Sequence, residues 1–253
     1  MLTQPTVDKL RALKLHGMAE ALLAQLAQPD AQQLSFEERL GLLVDHEWTY
    51  RQNRRLRRLL AEARLRLPAC VEDIDYRPQR GLDRSLIRQL ATGDWARRGQ
   101  NVLITGPTGV GKTYVACALG HAACRQGLRT RYYRLPRLLT ELTIAKGDGS
   151  YPRLMEQLLK TQVLILDDWG LSPLKPAEAR ELLEVIEDRS QRCGTIVVSQ
   201  LPLEHWHEVF GDPTVADAIL DRLVHHAFKI VLTGESMRKV LGRNTPMDAA
   251  DPT

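Results

Sequence analysis

The chain has 253 residues, a length that fits one large domain or one core domain with a smaller appendage. Of these residues, 43% are hydrophobic and 26% charged, a composition typical of a soluble globular protein. No apolar stretch approaches the roughly 20 residues needed to cross a bilayer, and no secretory leader begins the chain, so we expect a cytoplasmic protein with no membrane partner. The four cysteines have no zinc-like spacing and are predicted to be reduced thiols.

The net charge of +4 is unevenly distributed along the chain. Residues 1–100 hold 17 Lys and Arg against 13 Asp and Glu, whereas residues 101–253 hold 18 of each. A basic part beside a neutral part indicates two tasks, and it predicts a polyanion as the partner of the first part.

The first part of the chain is predicted to be helical. Residues 6–28 have the apolar periodicity of one amphipathic helix. Ser35 and Glu38 have the spacing of a capping box, so a second helix is expected to begin there and to run to about residue 67, where Pro68 ends it. A linker and a short lead-in helix follow, over residues 69–100.

The second predicted helix carries a cluster of arginines. We predict that five of them bind DNA: Arg51, Arg54, Arg55, Arg57 and Arg58. Four of these lie at i, i+3, i+4 and i+7 and share one face, which suits phosphate contacts without sequence preference. Arg64 and Arg66 follow on the same predicted helix. The alternative is an ordinary solvated face, and Trp48 and Tyr50 are expected to pack rather than to stack on DNA.

From residue 101 onward, strands alternate with helices. Apolar runs of strand length lie at 102–105, 130–135, 163–166, 195–198 and 228–232. The helical segments lie at 112–126, 136–146, 152–160, 176–190, 203–210 and 214–225. This alternation predicts an α/β fold with a parallel five-stranded sheet that helices flank on both faces. The short polar tail after Asn244 is predicted to be disordered.

A phosphate-binding loop follows the first of these strands. Gly-x-x-x-x-Gly-Lys-Thr spans Gly106–Thr113, between a strand and a helix as this motif requires. The expected nucleotide contacts are Gly106, Pro107, Thr108, Gly109, Val110, Gly111, Lys112, Thr113 and Tyr114. Lys112 is predicted to bridge the β- and γ-phosphates of ATP, and the Thr113 hydroxyl to bind Mg²⁺.

Acidic and polar residues follow two other strands. Val163–Leu166 is followed by Asp167, a predicted Mg²⁺ ligand, and by Asp168, which is predicted to polarise the attacking water. The strand at 195–198 is followed by Ser199 and Gln200, and a polar side chain there is expected to orient that water. These positions place Lys112, Asp167, Asp168 and Ser199 among the predicted catalytic residues.

With these motifs in order, the chain resembles the AAA+ ATPases, and within them the IstB-type transposition helpers, relatives of the DnaC helicase loader. The runs that carry the resemblance are LILDDWG (164–170), SQLPLEHWH (199–207), GDPTVADAILDRLVH (211–225) and GESMRK (234–239). Many ATPases of this type have Glu at the position of Asp168. The resemblance implies that Arg222 is an arginine finger acting on a neighbouring subunit's ATP and that Arg238 is a sensor arginine. The helical lid usual in AAA+ proteins is predicted to be reduced or absent, because the segment after the last predicted strand is short.

The sequence pattern and the resemblance together predict a domain organisation and a function. We expect a helical, basic domain for DNA binding and oligomerisation at 1–68, the linker at 69–100, an AAA+ ATPase domain at 101–244 and a disordered tail at 245–253. We expect ATP and Mg²⁺ as cofactors. Double-stranded DNA, a transposase and further copies of the chain, in a head-to-tail ring or helix, are the expected partners. A replicative helicase loader is the alternative, and a P-loop small-molecule kinase is a more distant one.

Overall fold

The structure is a computed structural model that describes residues 3–237, without the side chains of Thr3, Pro29, Gln32 and Pro78. The chain forms two compact units, one ending at Arg58 and one beginning at Leu59. The helices are α1 (Thr3–Ala12), α2 (His16–Ala27), α3 (Phe36–Ala63), α4 (Arg84–Ala91), α5 (Asp94–Arg97), α6 (Lys112–Arg125), α7 (Leu135–Asp148), α8 (Tyr151–Lys160), α9 (Pro176–Arg189) and α10 (Pro213–Val224). The strands are β1 (Val102–Thr105), β2 (Thr130–Arg134), β3 (Val163–Trp169), β4 (Gly194–Ser199) and β5 (Phe228–Val231). No helix within residues 3–237 has the length and apolar character to span a membrane.

The first unit is helical, as predicted, but residues 6–28 form two helices instead of one. Lys14 adopts a left-handed backbone with φ of 61°. Its amide donates to the carbonyl of Arg11, and the amide of Leu15 donates to the carbonyl of Leu10. This pair of bonds is a Schellman motif, which ends α1 by satisfying its last carbonyls. The apolar periodicity continued across the break and therefore concealed it.

In this unit, α2 packs against α3 at a glycine. A Cβ on Gly17 would lie 2.8 Å from the Cβ of Tyr50, so only glycine allows this approach. The amide of Met18 donates to the buried carboxylate of Glu47 over 3.0 Å, which fixes the two helices further. Tyr50 therefore packs as expected, but the same expectation for Trp48 is wrong because 67% of that residue is exposed.

The predicted capping box at the start of α3 is confirmed. The Glu38 amide donates to the Ser35 hydroxyl, and the Ser35 amide donates to the Glu38 carboxylate over 2.8 Å. The predicted end of this helix is wrong. It ends at Ala63, and Arg64 has a left-handed φ of 49°, so Arg64 and Arg66 lie beyond the helix.

The second unit contains the predicted five-stranded parallel sheet, in the order β2-β3-β4-β1-β5. Successive side chains of a strand point to opposite faces, and here they enter two separate cores. Ile104 of β1 packs in one core with residues of α6, and Leu103 packs in the other with residues of α9 and α10. Because both faces are covered, the three central strands are almost continuously apolar and buried. The segment at 203–209, predicted as an α-helix, is a 3₁₀-helix.

Arg189 is a buried structural cation at the end of α9, with 1% of its surface exposed. Its guanidinium donates to the carbonyls of Thr161 and Gly194, over 2.6 and 2.7 Å, and to that of Leu158. The side chain thus ties the end of α8 to the start of β4. Burial lowers the pKa of this guanidinium, but its charged form is retained by the carbonyls that surround it.

Replacing Arg189 with Met is expected to lower the free energy of unfolding by about 2–3 kcal/mol, because it leaves buried carbonyls without donors. Arg192→Met, which removes an exposed arginine three residues away, is expected to change it by less than about 0.5 kcal/mol. Urea denaturation of the two variants measures the difference. Equal midpoints for both would contradict the role assigned to Arg189.

Candidate nucleotide site

The phosphate-binding loop has the predicted setting, between the carboxyl end of β1 and the first turn of α6. Two of its glycines are required by their surroundings. A Cβ on Gly106 would lie 2.2 Å from the carbonyl oxygen of Leu232, and one on Gly109 would lie 2.3 Å from the hydroxyl of Ser236. Both residues also have positive φ, 143° and 86°, which favours glycine. The loop is therefore a backbone cradle of the kind that binds phosphates.

Lys112 lies inside this cradle. Its ammonium group donates to the carbonyls of Gly106 and Pro107, each over 2.7 Å. Burial lowers its pKa, and the carboxylates of Asp167 and Asp168 oppose that effect. The side chain is thereby directed at the concave side of the loop, where it can stabilise negative charge on phosphate oxygens.

Asp167 and Thr113, the two predicted Mg²⁺ ligands, lie next to each other. The Thr113 hydroxyl donates to Asp167 Oδ2 over 2.8 Å, and the Tyr132 hydroxyl donates to the same oxygen over 2.7 Å. Asp167 Oδ1 accepts from the amide of Asp168. A buried carboxylate beside a threonine hydroxyl and a phosphate cradle is a donor set that fits Mg²⁺ with a nucleoside triphosphate.

Asp168 follows directly and has an unusual backbone, with a left-handed φ of 61°. The pairing of β3 with β4 is irregular at this point, between Leu166 and Trp169. The Asp168 carboxylate forms an ion pair with Arg134 at the end of β2. This contact restrains the side chain that the sequence predicts to act on the attacking water.

At the end of β4, the side chain of Gln200 contacts the phosphate-binding loop, whereas the hydroxyl of Ser199 does not. Ser199 is 1% exposed, donates to the carbonyl of Trp169 over 2.8 Å and accepts from the amide of Leu201. The Gln200 side chain accepts from the Thr108 hydroxyl over 2.7 Å. Of the polar pair predicted at this strand end, Gln200 is the member that contacts the phosphate-binding loop.

The predicted linker also contributes to the site. Arg80 is 7% exposed and donates to the carbonyl of Val110 in the loop, over 2.8 Å, and to that of Asp75, over 2.6 Å. Met237, near the end of the described chain, donates its amide to the carbonyl of Gly109. The phosphate-binding loop is therefore held from outside by two segments distant in sequence.

A cavity of about 310 Å³ joins these parts. Its lining includes Thr108, Gly109, Gly111, Lys112, Thr113, Tyr114, Asp167, Asp168, Ser199, Gln200 and Met237. Two further lining residues, Arg66 and Leu67, come from the segment that follows α3. The side chain of Val110 is instead buried in the core beneath the loop.

Arg66 and Tyr132 are site residues that the sequence analysis missed. Arg66 Nη1 lies 3.8 Å from Asp167 Oδ2, and 43% of its side chain is exposed. Tyr132 and Arg134 belong to β2, and the pairing of β2 with β3 places Arg134 beside Asp167. The signal available in the sequence was that β2 ends in polar residues, but the sequence did not reveal which strand pairs with it.

Arg222 lies away from this cavity, near the end of α10. Its guanidinium is paired with Glu187 over 2.8 Å, and its side chain is 29% exposed. Its backbone carbonyl accepts from the side chain of Asn101, which directly precedes β1, whereas the phosphate-binding loop follows β1. The four residues of β1 span about 13 Å, so Arg222 and the loop lie near opposite ends of this strand. Arg238 lies outside the described residues.

The five arginines predicted to bind DNA lie on one continuous helix, α3. All five are exposed. Arg51 is paired with Glu47 of the preceding turn over 2.6 Å. The helix therefore presents a basic surface in the part of the chain before residue 59.

The comparison with known families agrees with this site. A family model described as IstB-like ATP binding protein matches residues 8–244. The chain belongs to this family.

IstB-like relatives match along most of their length. A protein of Sinorhizobium fredii, whose name describes an ATP-binding protein of an insertion sequence, is 52% identical over 94% of this chain and 98% of its own. A similarly named protein of Pseudomonas fluorescens is 55% identical over 80% of this chain and 88% of its own. The crystal structure of the DnaC helicase loader has a TM-score of 0.56 at 21% identity, over 65% of this chain and 97% of that chain.

The family match shows an IstB-like ATP-binding protein, and its P-loop α/β fold, which follows an N-terminal helical region, is similar to that of DnaC. The predicted fold is confirmed. Family membership and the nucleotide site together support an ATPase role, and the donor set described above fits ATP with Mg²⁺.

Proposed function

We propose that this IstB-like protein is an ATPase that assembles as a homo-oligomer on double-stranded DNA and recruits or stimulates a transposase. The proposal rests on the position of Arg222, which lies near the start of β1, whereas the nucleotide site lies at the end of that strand. An arginine at the opposite end of the strands from the ATP site of its own subunit is suited to act on the ATP of a neighbour. Such contacts join unlike surfaces and therefore produce head-to-tail rings or helices.

In the proposed reaction, the residues of this chain bind, orient and stabilise. Mg²⁺, where bound, would supply charge neutralisation for the phosphates. Lys112 stabilises the same oxygens, and Thr113 with Asp167 holds the metal. Asp168 orients the attacking water once its contact with Arg134 loosens, and Gln200 holds the loop through Thr108.

The DNA-binding part of the proposal is supported by the exposed arginines of α3. Guanidinium groups bind phosphate oxygens in a fixed fork and do so without reading bases. The role in transposition is supported by the names of the IstB-like relatives, which describe insertion-sequence proteins.

Two other functions share part of this evidence. A helicase loader is compatible with the same fold, as the similarity to DnaC indicates, and would differ in its partner. A pull-down with the transposase of the same insertion sequence, against a replicative helicase, separates the two. A small-molecule kinase would phosphorylate an acceptor as a monomer and would be indifferent to DNA.

The DNA test uses the triple variant Arg54→Gln, Arg57→Gln, Arg58→Gln. Each phosphate contact contributes about 0.9 to the slope of log affinity against log salt, so we expect the slope to fall by about 3 if all three bind phosphates. Fluorescence anisotropy with a random duplex at several salt concentrations measures this slope. Sedimentation of the protein with ATP and duplex should show large assemblies for the wild type and their loss in the variant.

The matched control removes three exposed arginines from the second unit: Arg84→Gln, Arg88→Gln, Arg180→Gln. It lowers the net charge equally and is expected to leave the slope within about 1 of the wild-type value. If the two triple variants bind DNA equally well, α3 is not the DNA-binding surface. If wild-type protein stays monomeric with ATP and DNA, the assembly proposal is wrong.

A further inference from the structure

We propose that Arg66 is a nucleotide-binding residue, which exchanges between the Asp167 carboxylate and the terminal phosphate of ATP in its own subunit. The residue lies in the short segment after α3 and lines the same cavity as Lys112 and Thr113. Its neighbours, Asp167 and Thr113, belong to the metal-binding end of the site, where the γ-phosphate is bound.

The contact of Arg66 with Asp167 is suited to exchange. At 3.8 Å, the guanidinium and Asp167 Oδ2 form an ion pair without a short hydrogen bond. The same oxygen already accepts from the Thr113 and Tyr132 hydroxyls at hydrogen-bond distance. With 43% of its side chain exposed, Arg66 has room to turn toward the cavity.

Charge favours the exchange when ATP and Mg²⁺ bind. A metal ion at Asp167 repels a guanidinium that lies 3.8 Å from the same carboxylate. The terminal phosphate offers more negative charge and a geometry that matches the guanidinium fork. Hydrogen bonding with Tyr132, and the nearby Asp167, raise the pKa of Arg66, so the side chain keeps its charge throughout.

This exchange would connect nucleotide binding with DNA binding, and that step rests on the proposed role of α3. The helix is continuous from Phe36 to Ala63 and carries all five DNA-binding candidates. Arg66 follows three residues after its end. Recruitment of Arg66 to the phosphate therefore acts on the chain segment that directly extends the basic helix.

The test compares Arg66→Gln with the control Arg88→Gln, which removes an exposed arginine of α4 in the same unit. Affinities for fluorescent AMPPNP and fluorescent ADP are measured by titration with Mg²⁺ and without DNA. We expect Arg66→Gln to bind AMPPNP about tenfold more weakly, the loss of one charge-assisted contact, and to bind ADP within about twofold of the wild type. Arg66→Lys, which keeps the charge but loses the fork, should recover part of the affinity.

Equal effects on AMPPNP and ADP, or no effect on either, would overturn the proposal, since a residue that only neutralises Asp167 does not distinguish the two nucleotides. A second arm measures duplex affinity with and without AMPPNP. Arg66→Gln should abolish the nucleotide-dependent change while retaining the nucleotide-free affinity. Because the first arm contains no DNA, failure of the proposed DNA-binding function leaves the test of Arg66 intact.

Discussion

Arg222→Ala is expected to lower ATP hydrolysis in the DNA-bound assembly by about 10³-fold, while ATP binding stays within about twofold of the wild type. In the proposed role, the guanidinium stabilises charge that spreads over the phosphate oxygens in the transition state, so its loss should affect the reaction more than binding. An effect on hydrolysis without an effect on binding is expected because Arg222 lies near the opposite end of β1 from the nucleotide site of its own subunit. Phosphate release and equilibrium nucleotide binding, each with duplex present, measure the two quantities.

Mixing experiments identify the subunit on which Arg222 acts. The Arg222→Ala subunit retains an intact phosphate-binding loop, and a Lys112→Ala subunit retains Arg222. Each variant alone is expected to hydrolyse ATP poorly, but a mixture should recover activity at contacts where the nucleotide bound to an Arg222→Ala subunit meets Arg222 of a Lys112→Ala subunit. Arg180→Ala, which removes an exposed arginine of α9, should behave as wild type. A mixture without activity would contradict action between subunits.

Asp167→Asn is expected to lower hydrolysis by about 10²- to 10³-fold, the loss typical of removing one electrostatic contributor to a transition state. Asparagine keeps the size of the side chain and can still accept from Thr113 and Tyr132. It loses the negative charge that Mg²⁺ requires. Measured as a function of Mg²⁺ concentration, phosphate release should therefore need more Mg²⁺ to reach its half-maximal rate and should have a lower maximum rate.

The control for this variant is Asp73→Asn, an exposed carboxylate of the same unit, which should retain wild-type kinetics. Asp168→Asn provides a second comparison, since it leaves the metal-binding pair intact and should retain the Mg²⁺ dependence of nucleotide binding. Unchanged Mg²⁺ dependence in Asp167→Asn would exclude this carboxylate as a metal ligand.

The sheet and the phosphate-binding loop could be predicted from the sequence because their signals are local. The run at 102–105 is apolar without alternation, which a strand buried on both faces requires. The positive φ of Gly106 and Gly109 favours glycine, and both belong to one contiguous motif. Each of these features depends on a few neighbouring residues, so the pattern in the sequence sufficed.

Other features depend on contacts between distant segments, and there the sequence was insufficient. The predicted helix through residue 67 followed a uniform run of leucines and arginines, but a left-handed Arg64 ends it. Arg66 therefore lies in the nucleotide site instead of on the basic helix face. In the same way, the contribution of Tyr132 became apparent only from the order of the strands.

The backbone of Asp168 explains why this chain has aspartate at a position where many ATPases of this type have glutamate. Its φ of 61° is a conformation that Asp and Asn adopt more readily than most other residues with side chains. A glutamate there would gain reach but would lack the short side chain that makes this backbone tolerable. The irregular pairing between Leu166 and Trp169 is thus a physical reason for aspartate at this position.

The separation of Arg222 from its own nucleotide site also has a stoichiometric consequence. In an open head-to-tail assembly of n subunits, only n − 1 nucleotides receive an arginine from a neighbour, whereas a closed ring completes all n. Turnover per subunit would then rise with the number of subunits in an open assembly and level off, so that a short stretch of DNA supports proportionally fewer complete sites than a long one. The rate of hydrolysis would thus report the length of the assembly.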